Sequence, residues 1–238
     1  MKNFYLFLFS ILFLISCDRE DSFDTDFEKN KLSTARTGFI APTNSSNVYD
    51  ETGAIFAELF EAYYEHPNLP IQLDSIVTFI DEATSKHPYF LSHSDFDFSL
   101  FPTPKIQAIL LSPETHLHDA LDTSVLSTPA KAAFESFLST LFLQIESDEK
   151  YETVYDSILD YESFVLDEHT YSGTEKKFLL RITSIARHAL YHKNKRPKKN
   201  TDPDWNWLTT CIVGSVYGLN TDTPTSISVA LKTGIGTE

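Results

Sequence analysis

Two histidines near the end of a helical stretch have the spacing of metal ligands. His188 and His192 lie four residues apart in RITSIARHALYHK, so both imidazoles would lie on one face of a helix. Zinc proteases use this spacing, with a glutamate directly after the first histidine as the catalytic base. Ala189 occupies that position here, and no third ligand is evident in the sequence. We therefore expect a structural role for the pair and predict no metal site.

A second histidine group, His116–Asp119, is similar to the start of the HxHxDH motif of metallo-hydrolases. Ala120 and Leu121 stand where that motif needs aspartate and histidine. The segment also has a helical pattern, and residues two apart on a helix lie about 200° apart. The two imidazoles would therefore point to different sides, and we expect a solvated surface here.

The remaining candidates for chemistry form no complete motif. Ser215 follows Gly214 directly, whereas the nucleophile elbow G-x-S-x-G needs a glycine two positions before the serine. Cys211 lies in an apolar stretch, where a buried and unreactive thiol is expected. Acidic pairs such as Asp156 and Asp160 are expected on the exposed helix faces of so acidic a chain. The sequence thus predicts no catalytic residue and no cofactor site, and it favours a protein that is not an enzyme.

The composition is that of an acidic globular protein. The chain has 34 acidic and 19 basic side chains, a net charge of −15, and 42% hydrophobic residues. This apolar content can form a core and excludes wholesale disorder. The negative charge repels nucleic acid and anionic lipid, so we expect neither as a general partner. A length of 238 residues suits one domain with at most a small appendage.

The first residues have the pattern of an export signal. Lys2 precedes an apolar run, Phe4 to Ile15, that is short of the roughly 20 residues needed to span a bilayer. The sequence Leu14-Ile15-Ser16-Cys17 resembles the lipobox of bacterial lipoproteins. That resemblance implies cleavage before Cys17, a signal peptide over 1–16 and a diacylglycerol on the Cys17 thiol. Cys211 would then have no disulfide partner. The alternative is an ordinary signal or uncleaved anchor with an incidental cysteine.

Residues 18–35 are polar and acidic without a clear period, so we expect a lipid-attached tether over 17–46. The acids from Asp18 to Glu28 are similar to the export signal of surface lipoproteins in Bacteroidota. Any tether in so acidic a chain would also be acidic, and an aspartate directly after the cysteine can instead mean retention in the inner membrane. We expect a lipid-anchored protein at the periplasmic or cell-surface face of the outer membrane, with the leaflet left open.

Beyond residue 47 the apolar residues recur with a helical period. Such patterns cover 48–64, 71–86, 104–111, 112–121, 130–146, 150–167 and 176–192. Pro113 and Pro129 stand where the first turn of a helix accepts proline, and Ser172 to Glu175 has the form of a capping box. The sequence therefore predicts an all-α fold, with an antiparallel helical bundle over 47–200.

Residues 88–104, PYFLSHSDFDFSLFPTP, interrupt the helical pattern with prolines and phenylalanines. The stretch DFDFSL alternates with a period of two, as in a short extended segment. Exposed aromatic rings stack on sugars or on partner side chains, so Phe96, Phe98 and Phe101 form a candidate binding surface. The alternative is that this loop places its rings in the core.

The last segment, 201–238, is apolar and spaced by glycines. WNWLTTCIVGSVYGL contains Gly214 and Gly218 in a GxxxG motif, which lets two backbones approach closely in a membrane or in a soluble core. The stretch is short for a membrane span. We expect a C-terminal helical hairpin or appendage on the bundle, and Trp205 and Trp207 extend the candidate binding surface. The alternative is insertion into a membrane or a partner.

The second half of the chain, from LSTPAKAAFESFL to the tryptophan-led tail, resembles a group of secreted or lipid-anchored helical proteins of Bacteroidota with no established activity. That resemblance implies compartment and helicity and carries no catalytic residue. We expect a lipid-anchored, non-catalytic binding or assembly module of the envelope, held by the lipid on Cys17, with an envelope protein as partner. The alternatives are an envelope hydrolase with a site scattered over helices and a secreted effector whose C-terminal segment enters a membrane.

Overall fold

The computed structural model describes residues 40–93, 96–97, 100–192 and 204–237, and from 204 to 206 the backbone only. The predicted signal peptide, Cys17 and most of the predicted tether lie outside these residues, as do Phe98 and the side chain of Trp205. The described part of the chain contains helices and no strand, which confirms the all-α prediction. Ile40–Glu238 form one compact unit.

Ten helices occur in the described residues, and every helix predicted from the sequence is among them. They are α1 Glu51–Tyr64, α2 Leu73–Lys86, α3 Pro88–Leu91, α4 Thr103–Leu111, α5 Pro113–Asp122, α6 Thr128–Glu146, α7 Tyr151–Asp167, α8 Gly173–His192, α9 Asp204–Leu219 and α10 Thr223–Gly236. None of these helices is both long and apolar enough to cross a membrane.

The short helix α3 lies within the stretch that the sequence predicts as a loop. Pro88 occupies its first turn, and the His87 imidazole accepts the Tyr89 N–H at 3.2 Å. The helix forms because the fixed φ of proline suits a first turn and the imidazole satisfies one free N–H. Phe90 is buried here, so α3 anchors the start of the predicted loop to the core. The alternating stretch DFDFSL falls largely outside the described residues.

The N-cap residues define where α6 and α10 begin. The N-cap of α6 is Ser127, with Thr128 already helical. The N-cap of α10 is Asp222, whose carboxylate accepts the Thr225 N–H at 2.7 Å. A carboxylate is favoured at this position because it accepts a free N–H and faces the positive end of the helix dipole.

The predicted capping box at the start of α8 is confirmed. The Ser172 hydroxyl accepts the Glu175 N–H at 3.2 Å, and the Glu175 carboxylate accepts the Ser172 N–H at 2.7 Å. The same carboxylate also accepts the Ser127 N–H at 2.9 Å, so it joins the N-termini of α6 and α8. These hydrogen bonds, those from Ser127 foremost, lower the pKa of Glu175 to about 2.

The C-terminal segment forms the predicted helical hairpin, and this hairpin lies in the core. All of Thr223–Ile235 in α10 is buried. The α9–α10 interface is the largest between two helices, and α10 also contacts α1, α2 and α4. Two hydroxyls of α10 donate hydrogen bonds to the backbone of α9. Ser226 donates to the Ser215 carbonyl at 2.8 Å, and Thr233 donates to the Thr210 carbonyl at 2.8 Å.

The GxxxG motif brings the two helices of the hairpin together. A Cβ atom at Gly218 would lie 2.6 Å from the Ser226 Cα and 2.6 Å from the Thr225 carbonyl oxygen. A Cβ atom at Gly214 would overlap the Thr233 hydroxyl. Both positions therefore need glycine, because the two backbones approach closely in the core.

A buried lysine fixes the hairpin to α2. The Lys232 side chain is 1% exposed, and its Nζ lies 2.6 Å from Asp81 Oδ1. Burial raises the pKa of Asp81, although the hydrogen bond and the charge of Lys232 oppose that effect. A charge this deep in a protein needs such a partner, because an unpaired buried ion is strongly destabilising.

Candidate ligand groove

The aromatic residues singled out from the sequence lie mainly in the core. Phe101 is 4% and Trp207 1% exposed. The Phe101 ring lies under the Lys105 ammonium at 3.8 Å, and Trp207 meets the Phe60 ring edge-on at 5.5 Å. Phe96 is partly buried and packs 5.1 Å from the Phe90 ring. The described members of this set therefore serve packing rather than one shared surface.

The two histidines of α8 both face α1 but meet different acids. His188 Nε2 lies 3.6 Å from Asp50 Oδ1, whereas His192 Nδ1 lies 3.5 Å from Glu61 Oε1. His118 is exposed. The described residues contain no group of three histidine, cysteine or acidic side chains that could hold a metal ion.

A buried ionic network lies where α1, α7 and α8 meet. The Arg187 and Glu162 side chains are both 0% exposed, and Arg187 Nε lies 3.0 Å from Glu162 Oε2. The same guanidinium pairs with Asp50 and donates to the Pro42 carbonyl. Burial alone would raise the pKa of Asp50, but the nearby His188 imidazole and the hydrogen bond and charge of Arg187 lower it to about 2.

Glu162 is satisfied by neutral donors as well. Its carboxylate accepts hydrogen bonds at 2.7 Å from the Asn44 amide, the Asn47 amide and the Thr183 hydroxyl. Together with the bond from Arg187 to Pro42, these contacts hold the segment before α1 against the bundle. The polar atoms of the network pair with one another and are shielded from water, so the network stabilises the fold. It presents no open binding site.

The sequence carries a signal for this network. Glu162 falls between Ile158 and Val165, on the stripe that α7 turns inward, and Arg187 follows the inward residue Ala186. A charged residue on an apolar stripe indicates a buried pair, but the sequence alone does not say which charges meet.

A groove of about 410 Å³ opens beside α8, between α3, the segment before α6 and the turn from α9 to α10. This volume lies within the usual range for small-molecule sites, about 300–1,000 Å³. The groove is lined by Tyr89, His93, Val125, Thr174, Lys177, Phe178, Arg181, Leu219, Thr221, Asp222, Thr223 and Pro224.

Two cations of α8 lie on the wall of this groove. Lys177 and Arg181 are four residues apart, so their side chains are neighbours on one helix face. Arg181 is half-buried, its guanidinium lies 5.2 Å from the Tyr49 ring centre, and its Nε–H has no hydrogen-bond partner. Neither cation pairs with a carboxylate among the described residues. Burial lowers the pKa of Arg181, which reflects the cost of a charge with little solvent.

The opposite wall is aromatic and polar. The Tyr89 and His93 rings lie 4.5 Å apart, and the His93 imidazole is bonded to the Tyr89 carbonyl at 2.7 Å. Burial raises the pKa of Tyr89, an effect that the Arg181 charge and a hydrogen bond with the Thr223 side chain partly offset. The carboxylate on this side, Asp222, already caps α10.

The groove therefore combines a net positive wall with rings and apolar side chains. Such a surface can bind and orient a ligand through charge, stacking and burial, and its described lining contains no nucleophile held by a base. No motif or period in the sequence predicts this groove, because its walls come from segments far apart along the chain. The available signal was the pair of cations in EKKFLLR, on one face of α8 in a strongly acidic chain. Comparisons with protein-family models, with curated proteins and with solved structures give no match to this chain.

Proposed function

We propose that this protein is a lipid-anchored, extracytoplasmic binding module of the bacterial envelope, and that the groove beside α8 is its ligand site. The observation that carries the binding function is Arg181, a half-buried cation without a carboxylate partner on the wall of a groove of about 410 Å³. The lipid anchor rests on the lipobox at Cys17 and on the acidic segment that follows it.

The position of the hairpin bears on the alternative of membrane insertion. Trp207, Cys211, Ile212 and Val216 in α9 are 0–1% exposed. Insertion would have to remove this helix from the core, at the cost of most of the contacts that hold α10. The binding proposal needs no such rearrangement and is therefore the one that we prefer.

The ligand site can be tested by blocking the groove. Val125 lies on its rim and is 55% exposed, so Val125→Trp should narrow the groove without disturbing the core. The matched control is Val48→Trp, because Val48 is 76% exposed and does not line the groove.

The full-length proteins would be extracted from membranes in mild detergent and compared by native mass spectrometry. We expect a small molecule bound to the wild-type protein and to Val48→Trp, and absent from Val125→Trp. Equal masses in all three, after allowance for the substitutions, would contradict a ligand site in the groove.

The anchor is tested separately with a radiolabelled lipid precursor. The wild-type protein should take up the label and sediment with membranes, whereas Cys17→Ala should do neither. Cys211→Ala is the matched control, since this thiol is buried in α9, and it should be labelled like the wild type. Label on Cys17→Ala would overturn the anchor.

A further inference from the structure

We infer that the groove binds a small organic anion, whose carboxylate or phosphate is held by Lys177 and Arg181 while its apolar body lies against Phe178, Leu219 and Val125. This inference rests on the proposed binding function and adds the chemical class of the ligand.

Two cations line the groove of a strongly acidic chain, whose net charge is −15. The fully buried cations of the described residues are paired: Arg187 with Asp50 and Glu162, and Lys232 with Asp81. Arg181 and Lys177 lack such partners among the described residues. A half-buried cation without a counter-ion is costly, so a ligand that supplies the negative charge stabilises the site.

The geometry of the donors fits an oxyanion. A guanidinium presents several N–H donors in a plane and binds carboxylate or phosphate through two oxygens. Arg181 lines the groove, and its Nε–H has no hydrogen-bond partner in the protein, so the guanidinium has donors left for a ligand oxygen. Lys177 lies one turn earlier on α8 and is exposed, so its ammonium can approach the same anion from the solvent side.

The remaining lining residues indicate the chemical character of the rest of the ligand. Phe178 and Pro224 are buried, Leu219 is half-buried and Val125 is exposed at the rim. These side chains favour an apolar or aromatic group over a second charge. Asp222 also lines the groove. Its carboxylate disfavours a second negative charge on the part of the ligand that lies away from the two cations. A compact anion with one charged end can contact the two cations with that end and the apolar side chains with the rest of the molecule.

Four probes with the same phenyl ring test the charge requirement. Phenylacetate and phenyl phosphate carry the two kinds of anion, benzyl alcohol is neutral and benzylamine is positive. In calorimetric titrations of the full-length protein in detergent, we expect at least one of the two anions to bind and the neutral and positive probes not to bind. The stronger of the two anions identifies the headgroup as carboxylate or phosphate.

Substitutions then locate the binding. Arg181→Gln should lower the affinity for the anion about tenfold or more, because it removes a charge-assisted hydrogen bond. Lys86→Gln is the matched control for loss of one positive charge, since Lys86 is 77% exposed on α2, and it should leave the affinity unchanged. Val125→Trp gives a second, steric readout if Arg181→Gln does not fold. The inference is overturned if neither anion binds, or if both groove variants bind as tightly as the wild type.

The two proposals fail in distinguishable ways. A neutral or positive molecule found in the groove by native mass spectrometry, together with no anion binding, would overturn the anion inference alone. An empty groove in that experiment and no binding by any probe would overturn both.

Discussion

Arg187 Nε lies 3.0 Å from Glu162 Oε2, with both side chains fully buried. This pair links α8 to α7, and through Asp50 and Asn47 it also fixes the entry to α1. The bundle is thus closed around charged groups that compensate one another, while the unpaired cations of α8 face the groove. The helix α8 thus carries a buried, paired cation on one part and unpaired cations on the wall of the groove. The proposed binding function depends on this difference.

Breaking this buried pair should be costly. We expect Glu162→Gln to lower the free energy of unfolding by roughly 3–5 kcal/mol, because it leaves the Arg187 charge with one carboxylate fewer in the core. The measurement is urea denaturation followed by circular dichroism. The control is Asp156→Asn on the exposed face of α7, which should change stability by less than about 0.5 kcal/mol. Equal effects of the two variants would contradict the role of the network.

Stability should fall in acid over a defined window. The pKa of Asp50 is lowered to about 2, because the effect of burial is outweighed by the nearby His188 imidazole and the Arg187 guanidinium. A lowered pKa contributes stability that is complete above the unfolded value near 3.8 and is lost as the pH falls toward 2. We therefore expect the urea midpoint to drop between about pH 4 and pH 2.

The variant Asp50→Asn tests which group is responsible. It should be less stable than the wild type at neutral pH and should show a shallower decline in acid. The decline should not vanish, because Glu175 also has its pKa lowered to about 2 and titrates in the same window. A wild-type slope in Asp50→Asn would show that Asp50 does not take part.

Glu175 should matter for two helices at once. Glu175→Ala removes the acceptor of the Ser172 and Ser127 N–H groups, so we expect a loss of about 1–2 kcal/mol, typical of a lost cap. The control is Glu149→Ala, an exposed glutamate between α6 and α7. In Glu175→Ala, amide hydrogen exchange should accelerate in the first turns of both α6 and α8. Faster exchange in α8 alone would contradict the shared cap.

How far the sequence predicts this molecule differs from element to element. The apolar period and the proline and serine signals at residues 112–113, 129 and 172 were sufficient for the helices and for the all-α fold. The burial of α10 was not predictable, because Thr225, Ser226, Ser228 and Lys232 are typical of a surface. Ser226 is buried because Gly214 and Gly218 allow a close hairpin in which the Ser215 carbonyl accepts its hydrogen bond. Lys232 is buried because it pairs with Asp81 of α2. The groove is lined by four segments far apart along the chain, so neither the apolar period nor a motif could reveal it.

The hairpin should not tolerate a methyl group at its closest approach. Gly218→Ala would place a Cβ atom 2.6 Å from the Ser226 Cα, so we expect a loss of about 1–3 kcal/mol from overpacking. Gly173→Ala is the control, since nothing lies within 4 Å of its Cβ position, and it should be neutral or slightly stabilising. Thermal melts of the two variants give the comparison. A harmless Gly218→Ala would mean that α9 and α10 are not packed this closely.

The most direct test of the central claim, that the groove holds an anion on Arg181, is the NMR signal of the Arg181 Nε–H. This donor has no hydrogen-bond partner in the protein and belongs to a residue that lines the groove, so its resonance reports the binding of an anion to the guanidinium. The signal can be assigned by its loss in Arg181→Lys. On addition of phenyl phosphate or phenylacetate to the full-length protein, we expect this resonance to shift downfield and saturate, with benzyl alcohol leaving it in place. A resonance that does not move with either anion would contradict the account.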